Sequence, residues 1–446
     1  MRLFARSWGG WGMSSEWPLV SVDEVCSLIV DCVNKTAPVV PDTTPYRMIR
    51  TTNVRNGRID LSDCKYVTEE TYQKWTRRAE LELGDVILTR EAPIGEVGYV
   101  TEAKGVFLGQ RLMQYRPNPA LLDSRFLLYS FLSPALQHQF GSHEGSGSVV
   151  SHIRVGDCFK FKLRLPPLDI QQEVASILGE LDDRITLLRE TNATLEAIAQ
   201  ALFKSWFVDF DPVRAKMEGR APEGMDEATA ALFPDGFEES ALGAVPRGWR
   251  VMPVGDAVET VGGATPDTKN SEYWEPATHC WTTPKDLSGI SAPVLLDTER
   301  KLSSQGLAKI GSGLLPAGTL LLSSRAPIGY LAVSQVPLAI NQGYIAMPPG
   351  GLLPPLYMLF WCRENMEVIK SRSNGSTFME ISKKAFRPIP ALVPPSDIVK
   401  AFTSIASALF ARLVENERQA QTLATLRDTL LPRLISGQIC LGPAFY

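Results

Sequence analysis

Apolar residues recur with heptad spacing along residues 170–207. Leucine or valine occupies every seventh position from Val174 to Leu202, and a second, mostly apolar series runs four residues out of step from Leu178 to Trp206. These two series predict the d and a positions of about five heptads on one continuous helix. The helix would be about 55 Å long, and so narrow an apolar stripe requires burial against another helix.

A second segment with the same spacing, residues 398–431, follows 228 residues later. Aligning Leu181 with Leu409 also matches, without a gap, Arg184 with Arg412, Ile185 with Leu413, Leu195 with Leu423 and Leu202 with Leu430. We therefore interpret the two segments as copies of one helix that pack against each other. The alternative is that each is an independent core helix.

Two asparagines within the apolar stripes predict the register of this helix pair. An unpaired buried amide costs about 1–3 kcal/mol, so polar residues in a coiled-coil seam usually pair with each other. Placing Asn192 opposite Asn416 in an antiparallel pair makes partner numbers sum to 608. Trp206 then faces Phe402, and the only poor match is Leu181 opposite Arg427, whose stem can lie along the leucine.

The blocks of residues before the two helices share landmarks in the same order. In each, a glycine-led hydrophobic strand runs into Ala-Pro-Ile-Gly, at 92–95 and again at 326–329, and a glutamine follows as Gln110 or Gln342. Residues 124–139 are predicted to be helical, and Asp169 is a candidate N-cap of the first long helix. The chain is thus a tandem duplication of a domain and a helix.

The predicted fold class is α+β, with two mixed α/β domains separated by two long helices in an antiparallel coiled coil with pseudo-two-fold internal duplication. The proposed boundaries are an N-terminal extension (1–15), a first domain (16–168), a first helix (169–207), an acidic connector (208–246), a second domain (247–395), a second helix (396–437) and a tail (438–446).

Charge is distributed unevenly along the 446 residues, whose formal net charge is −4. The connector 208–246 carries a net charge of −6, whereas residues 247–394 carry +3, so basic patches remain possible despite the acidic total. The seven cysteines lack a Cys-x-x-Cys spacing, which favours a reducing compartment without a disulfide framework or a zinc site. No apolar run reaches the ~18 residues needed for a membrane span.

Taken together, these features resemble the specificity (S) subunit of type I restriction-modification systems over essentially the whole chain. The resemblance rests on the duplicated block and on motifs at 166–172 (Pro-Pro-Leu-Asp-Ile-Gln-Gln), 206–213 (Trp-Phe-Val-Asp-Phe-Asp-Pro-Val), 341–343 (Asn-Gln-Gly) and 430–437 (Leu-Leu-Pro-Arg-Leu-Ile-Ser-Gly). Gln110-Arg111-Leu112 departs from the Asn-Gln-Gly turn in the first copy.

The resemblance implies a DNA-binding subunit, located in the cytoplasm of a prokaryote, that reads an asymmetric bipartite target through two target-recognition domains. It implies binding to double-stranded DNA, to two methyltransferase (M) subunits and to restriction/translocase (R) subunits. AdoMet, ATP and Mg²⁺ would belong to those partners, so this chain is expected to bind no cofactor or metal itself and to catalyse no reaction.

Candidate DNA-binding residues are polar or basic, in predicted loops and near matching landmarks. Arginine and glutamine can pair with base edges, whereas serine, threonine and lysine more often bind phosphate. In the first copy they are Arg50, Thr51, Arg55, Arg90, Gln110, Arg111, Ser146, Ser148 and Arg154. In the second they are Thr282, Thr283, Lys285, Ser324, Arg325, Gln342, Ser376, Lys383 and Lys384.

Two other classes of function remain open on sequence alone. A coiled-coil scaffold without DNA contact would use the helices only. A nuclease could use Asp42 with Asp63, or Asp267 with Glu299, although these pairs are not at equivalent positions in the two copies. A methyltransferase would need a glycine-rich AdoMet loop and an Asn/Asp-Pro-Pro-aromatic motif, and the sequence has neither.

Overall fold

A computed structural model describes residues 17–142, 152–374 and 379–439. It divides into two compact units, one formed by Met1–Arg184 with Thr422–Tyr446 and the other by Ile185–Gln421. The expected N-terminal extension and Ser146, Ser148 and Ser376 lie outside the described residues. Each unit contains one mixed α/β block, which we call block 1 (residues 17–167) and block 2 (residues 247–395).

Both predicted long helices are present, as Leu168–Phe207 and Ser396–Ile435. Each is 40 residues, about 60 Å at 1.5 Å per residue. Prolines precede both helices, and the only internal proline, Pro432, lies in the last turn of the second. The first helix begins at Leu168, so Asp169 lies within the first turn, where an acidic side chain is favourable, rather than at the N-cap as we predicted.

The division between the two units falls within both long helices, so each unit contains part of each helix. In the first unit, Leu178 of the first helix and Leu434 of the second belong to one buried cluster with Phe126 and Tyr115 of block 1. Block 1 is therefore packed on the beginning of its own helix and on the end of the other. Residues near the end of the second long helix therefore pack in the hydrophobic core of the first block.

The described strands of block 1 form two main sheets and two short pairs. The four-stranded sheet is antiparallel and has the order Cys26–Asp31, Leu112–Pro117, Val86–Arg90, Ile94–Tyr99. The three-stranded sheet has the order Lys65–Tyr66, Arg47–Ile49, Val106–Leu108. The pairs are Leu19–Ser21 with Lys162–Arg164, and Val54–Arg55 with Arg58–Ile59.

The region predicted as one helix in block 1 is two helices, Ser124–Leu132 and Pro134–Gly141. Ser133 between them is extended, and Pro134 at the first position of the second helix has no N–H to continue the first one. The remaining helical segments of block 1 are Val22–Val25, Thr51–Asn53 (3₁₀), Glu69–Trp75 and Val155–Asp157 (3₁₀).

In the second unit the two long helices pack antiparallel with the predicted register. Asn416 Nδ2 donates to Asn192 Oδ1 at 2.9 Å, and both side chains are buried. The rings of Trp206 and Phe402 lie 6.2 Å apart between centroids. Residue 192 of the first helix faces residue 416 of the second, and residue 206 faces residue 402. Since the residue number increases along one helix while it decreases along the other, the two helices run in opposite directions.

The first unit contains the one poor match that the predicted register gave, Leu181 opposite Arg427. Arg427 does more there than lie along a leucine. Its guanidinium group forms an ion pair with Asp182, and both side chains are about one-fifth exposed (24% and 19%). Tyr129 of block 1 donates to the other oxygen of that carboxylate at 2.9 Å. The positive charge of Arg427 in this seam is therefore neutralised by Asp182.

Block 2 repeats the three-stranded sheet of block 1 and three strands of its four-stranded sheet. The fourth strand differs: Val294–Leu295 pairs parallel with Leu331–Ser334, whereas in block 1 Cys26–Asp31 pairs antiparallel with Leu112–Pro117 at the other edge. In block 2 the four-stranded sheet has the order Val294–Leu295, Leu331–Ser334, Leu320–Ser323, Tyr344–Met347, and the three-stranded sheet the order Arg300–Leu302, His279–Thr282, Leu338–Ile340. Arg250–Pro253 pairs with Pro390–Val393. Its helical segments are Val254–Ala257, Ser271–Tyr273 (3₁₀), Pro284–Leu287 (3₁₀), Ser304–Leu307, Pro355–Glu364, Met366–Ser371 and Lys383–Phe386.

The acidic connector of the second unit has structure of its own. It contains the helices Asp211–Met217 and Glu227–Ala231 and a hairpin of Phe237–Ser240 with Gly243–Pro246. Val213 and Phe233 are buried in the same cluster as Trp206. The connector is thus anchored on the hydrophobic core, while most of its acids remain exposed.

Candidate nucleic-acid interface

Loops from distant parts of block 1 meet at one edge of its sheets. The strands Arg47–Ile49 and Val106–Leu108 are parallel, so the residues that follow both lie at the same edge, and Gly109 N donates to Ile49 O at 2.8 Å. There Arg90 N donates to Arg111 O (2.8 Å), and Ile153 N donates to Arg90 O (3.0 Å). We call residues 35–36, 50–55, 90–93, 109–111 and 152–154 the first loop edge.

Three arginines predicted as DNA-binding residues come together on these backbone contacts. Arg90 Nη1 donates to the carbonyl of Ile153 at 3.0 Å, and its Nε is buried without a partner among the described residues. Arg111 is half-exposed and its Nε lies 2.9 Å from Glu91 Oε2. Arg154 is exposed, and the described part of the chain offers its side chain no hydrogen bond or ion pair. The cluster is net positive.

Arg50, Thr51 and Arg55 occupy the turn after the parallel strand. Arg50 Nη2 donates to the carboxylate of Asp63 at 2.9 Å, and the Arg50 side chain is 31% exposed. Arg55 Nη1 donates to the carbonyl of Thr51 at 2.7 Å. Both guanidinium groups keep exposed surface, but each is already partly neutralised or held within the turn.

Block 2 builds an equivalent edge with the same backbone hydrogen bonds. Asn341 N donates to Thr282 O (3.0 Å), Ser324 N donates to Gly343 O (2.8 Å), and Ile381 N donates to Ser324 O (3.0 Å). These contacts align Thr282 with Ile49, Ser324 with Arg90, Gly343 with Arg111 and Ile381 with Ile153. We call residues 264–265, 282–286, 324–328, 341–343 and 381–384 the second loop edge.

The turn after the parallel strand is also repeated. Thr283 N donates to Asp286 Oδ2 at 2.8 Å, as Arg50 N donates to Asn53 Oδ1 at 2.9 Å. The same side-chain-to-backbone contact therefore closes both turns, although the residues that form it differ. Thr283 consequently occupies the position of Arg50.

Two of the predicted residues in block 2 are in the core. Thr282 is fully buried, and its hydroxyl lies 3.1 Å from that of Tyr344, while Ser324 is only 3% exposed. Neither side chain has surface to offer in this structure, which counts against the predicted DNA contacts of these two residues; the contacts themselves stay predictions. Thr282 is the last residue of a strand and Ser324 directly follows one, and their short polar side chains did not indicate on which side of the sheet they lie.

The other predicted residues of block 2 have exposed or half-exposed side chains at the second loop edge. Lys285 Nζ lies 3.0 Å from Glu299, and Arg325 Nη1 lies 3.7 Å from Glu380. Lys383 and Lys384 begin a short helix capped by Ser382, where Lys384 is exposed and Lys383 half-buried. Gln342 is exposed and accepts a hydrogen bond from Thr265.

The aligned edges differ in chemistry although their backbone contacts coincide. The first carries arginine at positions 50, 90 and 111, where the second has Thr283, Ser324 and Gly343. One residue further along, Glu91 of the first edge corresponds to Arg325 of the second. The turn that departs from Asn-Gln-Gly also differs in backbone, because Arg111 adopts a positive φ of 71°.

Sequence reasoning missed the threonines that contact the two edge glutamines. Thr36 Oγ1 lies 3.3 Å from the Gln110 amide, and Thr265 Oγ1 lies 2.7 Å from Gln342 Oε1. The available signal was weak: each threonine lies one or two residues before a proline, and the segments around them otherwise differ. Only the equivalent glutamines show that the two threonines correspond.

Two of the four acids on which a nuclease interpretation would rest are paired with cations of their own blocks. Asp63 binds Arg50, and Glu299 binds Lys285. Across the described ranges, no group of three or more histidine, cysteine, aspartate or glutamate side chains could hold a metal ion. Nor is any described helix long and apolar enough to cross a membrane.

A family model described as the type I restriction modification DNA specificity domain matches this chain twice, at residues 14–197 and 246–424. The chain belongs to this family. Each match covers one α/β block and part of the long helix that follows it, which confirms the predicted duplication and fold class.

Two characterised relatives of the family are similar in sequence. The type I restriction enzyme HindI specificity subunit of Haemophilus influenzae is 26% identical over 408 residues, which cover 80% of this chain and 86% of the relative. The MjaIX specificity subunit of Methanocaldococcus jannaschii is 34% identical over 185 residues, 41% of this chain and 42% of the relative. The resemblance to specificity subunits is confirmed.

The fold has also been seen in a solved structure. The crystal structure of the type I restriction-modification S subunit from M. genitalium aligns over 94% of this chain and 96% of its own length. The TM-score is 0.55 at 17% sequence identity. At that identity the similarity shows the fold alone.

Proposed function

We propose that this chain is the DNA-recognition subunit of a type I restriction-modification complex and that each loop edge reads one half of a bipartite target. The observation that carries the proposal is the repetition of one backbone framework with different side chains. A repeated framework suits two similar docking events on duplex DNA, and different side chains suit two different base sequences. The target is therefore asymmetric.

The chemistry of the two edges supports different half-sites. Arginine pairs bidentately with O6 and N7 of guanine, so the three clustered arginines of the first edge favour a half-site with guanine. The second edge has arginine only at position 325 and otherwise offers lysine, threonine and glutamine. Lysines 383 and 384 at a short helix are suited to phosphate contacts.

The partners of this chain would be two methyltransferase subunits and the restriction/translocase subunits that act with them. What supports this part of the proposal is membership of the family and the naming of its relatives as restriction enzyme specificity subunits. AdoMet, ATP and Mg²⁺ would be bound by those partners, and the chemistry of methylation and cleavage would take place there. This chain would contribute recognition.

The test is an exchange of block 1 in the complex with the methyltransferase subunits. Residues 16–167 are replaced by the corresponding block of a related specificity subunit, and the methylated motif is mapped across the genome of cells that express the complex. We expect one half of the motif to change and the other to stay the same. The reciprocal exchange of residues 247–395 is the matched control and should change the other half.

A motif that changed in both halves after a single exchange would contradict the division of recognition between the two edges. Methylation that is unchanged by either exchange would show that the blocks do not read DNA. In that case the helices alone would remain as functional elements, as in a coiled-coil scaffold.

A further inference from the structure

Each loop edge contains one glutamine whose amide is oriented by a threonine from a different segment. In block 2, the hydroxyl of Thr265 donates to Gln342 Oε1 at 2.7 Å. The Gln342 side chain is exposed, and within the described ranges its Nε2 has no partner. The threonine therefore uses one of the two lone pairs of the amide oxygen and leaves the donor end available.

Block 1 holds Gln110 more completely, and there the threonine hydroxyl accepts from the amide instead of donating to it. With the amide oriented to satisfy its surroundings, its oxygen accepts from the backbone N–H of Thr36 at 2.9 Å and of Lys35 at 3.1 Å. Its nitrogen donates to Thr36 Oγ1 at 3.3 Å. Both lone pairs of the oxygen are used, and one N–H remains free.

For Gln110 this polarity is unsuitable for reading adenine. Bidentate recognition of adenine by glutamine requires the amide oxygen to accept from N6 while the amide nitrogen donates to N7. The oxygen of Gln110 has no lone pair left, whereas Gln342 Oε1 has one of its two lone pairs taken by Thr265. Gln110 therefore offers a ligand only an N–H donor, and Gln342 offers free N–H donors beside an oxygen that already accepts one bond.

The position of the glutamines also argues against a role in specificity. The aligned residues around them differ between the two edges, as at Arg50 and Thr283 or Arg111 and Gly343. The glutamine and its threonine are present in both. Side chains that distinguish two different half-sites should differ, whereas a feature common to both should bind what the two half-sites share, which is the sugar-phosphate backbone.

We propose that Gln110 and Gln342 each donate a hydrogen bond to a DNA backbone phosphate, with Thr36 and Thr265 as positioning residues, and that neither glutamine reads a base. The proposal rests on the proposed function and refines it. The two equivalent contacts would set each block in the same register on its half-site. Specificity would then come from the residues that differ.

The test compares Gln342→Ala with the wild-type chain, each in complex with the methyltransferase subunits. Affinity for a target duplex and for a duplex of scrambled sequence is measured by fluorescence anisotropy at several salt concentrations, and the methylated motif is mapped in cells. We expect both affinities to fall by the same factor, about tenfold for one hydrogen bond to a charged group, with an unchanged motif. The salt dependence should stay the same, because an amide releases no counterion.

Matched variants separate the contact from its support. Thr265→Val should reduce both affinities in the same way but less, and Thr265→Ser, which keeps the hydroxyl, should restore them. Lys384→Ala should lower affinity together with the salt slope, by about 0.9 per phosphate contact. Gln305→Ala, an exposed glutamine outside the loop edge, should change neither.

A motif that becomes degenerate at one position in Gln342→Ala would overturn the proposal, because the glutamine would then be reading a base. An unchanged affinity for both duplexes would overturn it as well. If the wild-type complex itself shows no preference for any sequence, the proposed function fails, and that result is distinct from both outcomes for the variant.

Discussion

The pair of asparagines between the long helices offers a quantitative test of the register in the second unit. Asn192 and Asn416 are 2% and 1% exposed. Asn416 Nδ2 donates to Asn192 Oδ1 at 2.9 Å, and Asn192 Nδ2 donates to the carbonyl of Leu413 at 3.3 Å. Replacing Asn192 by leucine removes both bonds and leaves the amide of Asn416 buried opposite an apolar side chain.

The expected cost follows from that orphaned amide. A buried polar group that loses its partner destabilises the fold by about 1–3 kcal/mol, whereas replacing both partners by apolar groups of similar shape is nearly neutral. Asn192→Leu and Asn416→Leu should therefore each lower the free energy of unfolding by about 1–3 kcal/mol. The double variant should recover much of the loss, with a coupling energy of about 1–3 kcal/mol.

The assay is urea unfolding followed by tryptophan fluorescence, with Trp206 and Trp249 as buried reporters in this unit. Changes in the transition midpoint at constant m-value give the stability changes of the single and double variants. The matched control is a cycle between Asn192→Leu and Asn270→Ala, which removes a helix cap in an exposed loop. That pair should be additive within about 0.5 kcal/mol. A coupling between the two seam asparagines no larger than in the control would refute the register.

Three further predictions concern block 1 and its helices. The carboxylate of Asp85 is buried, and both its oxygens lie 2.9 Å from Arg116 nitrogens. Asp85→Ala should therefore destabilise the first unit by about 2–4 kcal/mol, and a loss below about 1 kcal/mol in chemical denaturation would contradict this. Asp182→Ala should lower the stability of the same unit by about 1–3 kcal/mol, since it removes the ion pair across the seam and leaves the half-buried Arg427 with only Asp428 beside it. Asp182→Ala with Arg427→Leu should regain part of this loss, and an additive pair in the same denaturation assay would count against the contact. Arg111→Gly removes a cation at a residue whose positive φ glycine adopts freely, so the free energy of unfolding should change by less than about 1 kcal/mol. Methylation of the first half-site should be lost or its motif altered, and an intact motif would exclude Arg111 from recognition.

The long helices and the internal duplication could be predicted from the sequence because both depend on local or repeated patterns. Heptad spacing requires burial of one stripe whatever lies around it, and Asn192 and Asn416 are the only asparagines among the seam positions. The repeated Ala-Pro-Ile-Gly loops located corresponding strands by identity of sequence. These features indicated the family and placed the candidate residues in two equivalent regions.

The tertiary structure decided which of those residues form a surface. Arg90, Arg111 and Arg154 are far apart in sequence and meet only because antiparallel and parallel strands bring their loops to one edge. Burial of Thr282 and Ser324 was not predictable, since a one-residue difference in strand phase moves a side chain from the surface to the core.

The same limit applies to the ends of the two long helices. Their spacing determined that they pair, but not that block 1 would pack on the beginning of the first helix together with Leu434 near the end of the second. Likewise the pairing of Thr265 with Gln342 spans 77 residues and has no local pattern. Periodicity along the chain records which face of an element must be buried, whereas the partner that buries it is chosen by contacts between segments that only the folded chain brings together.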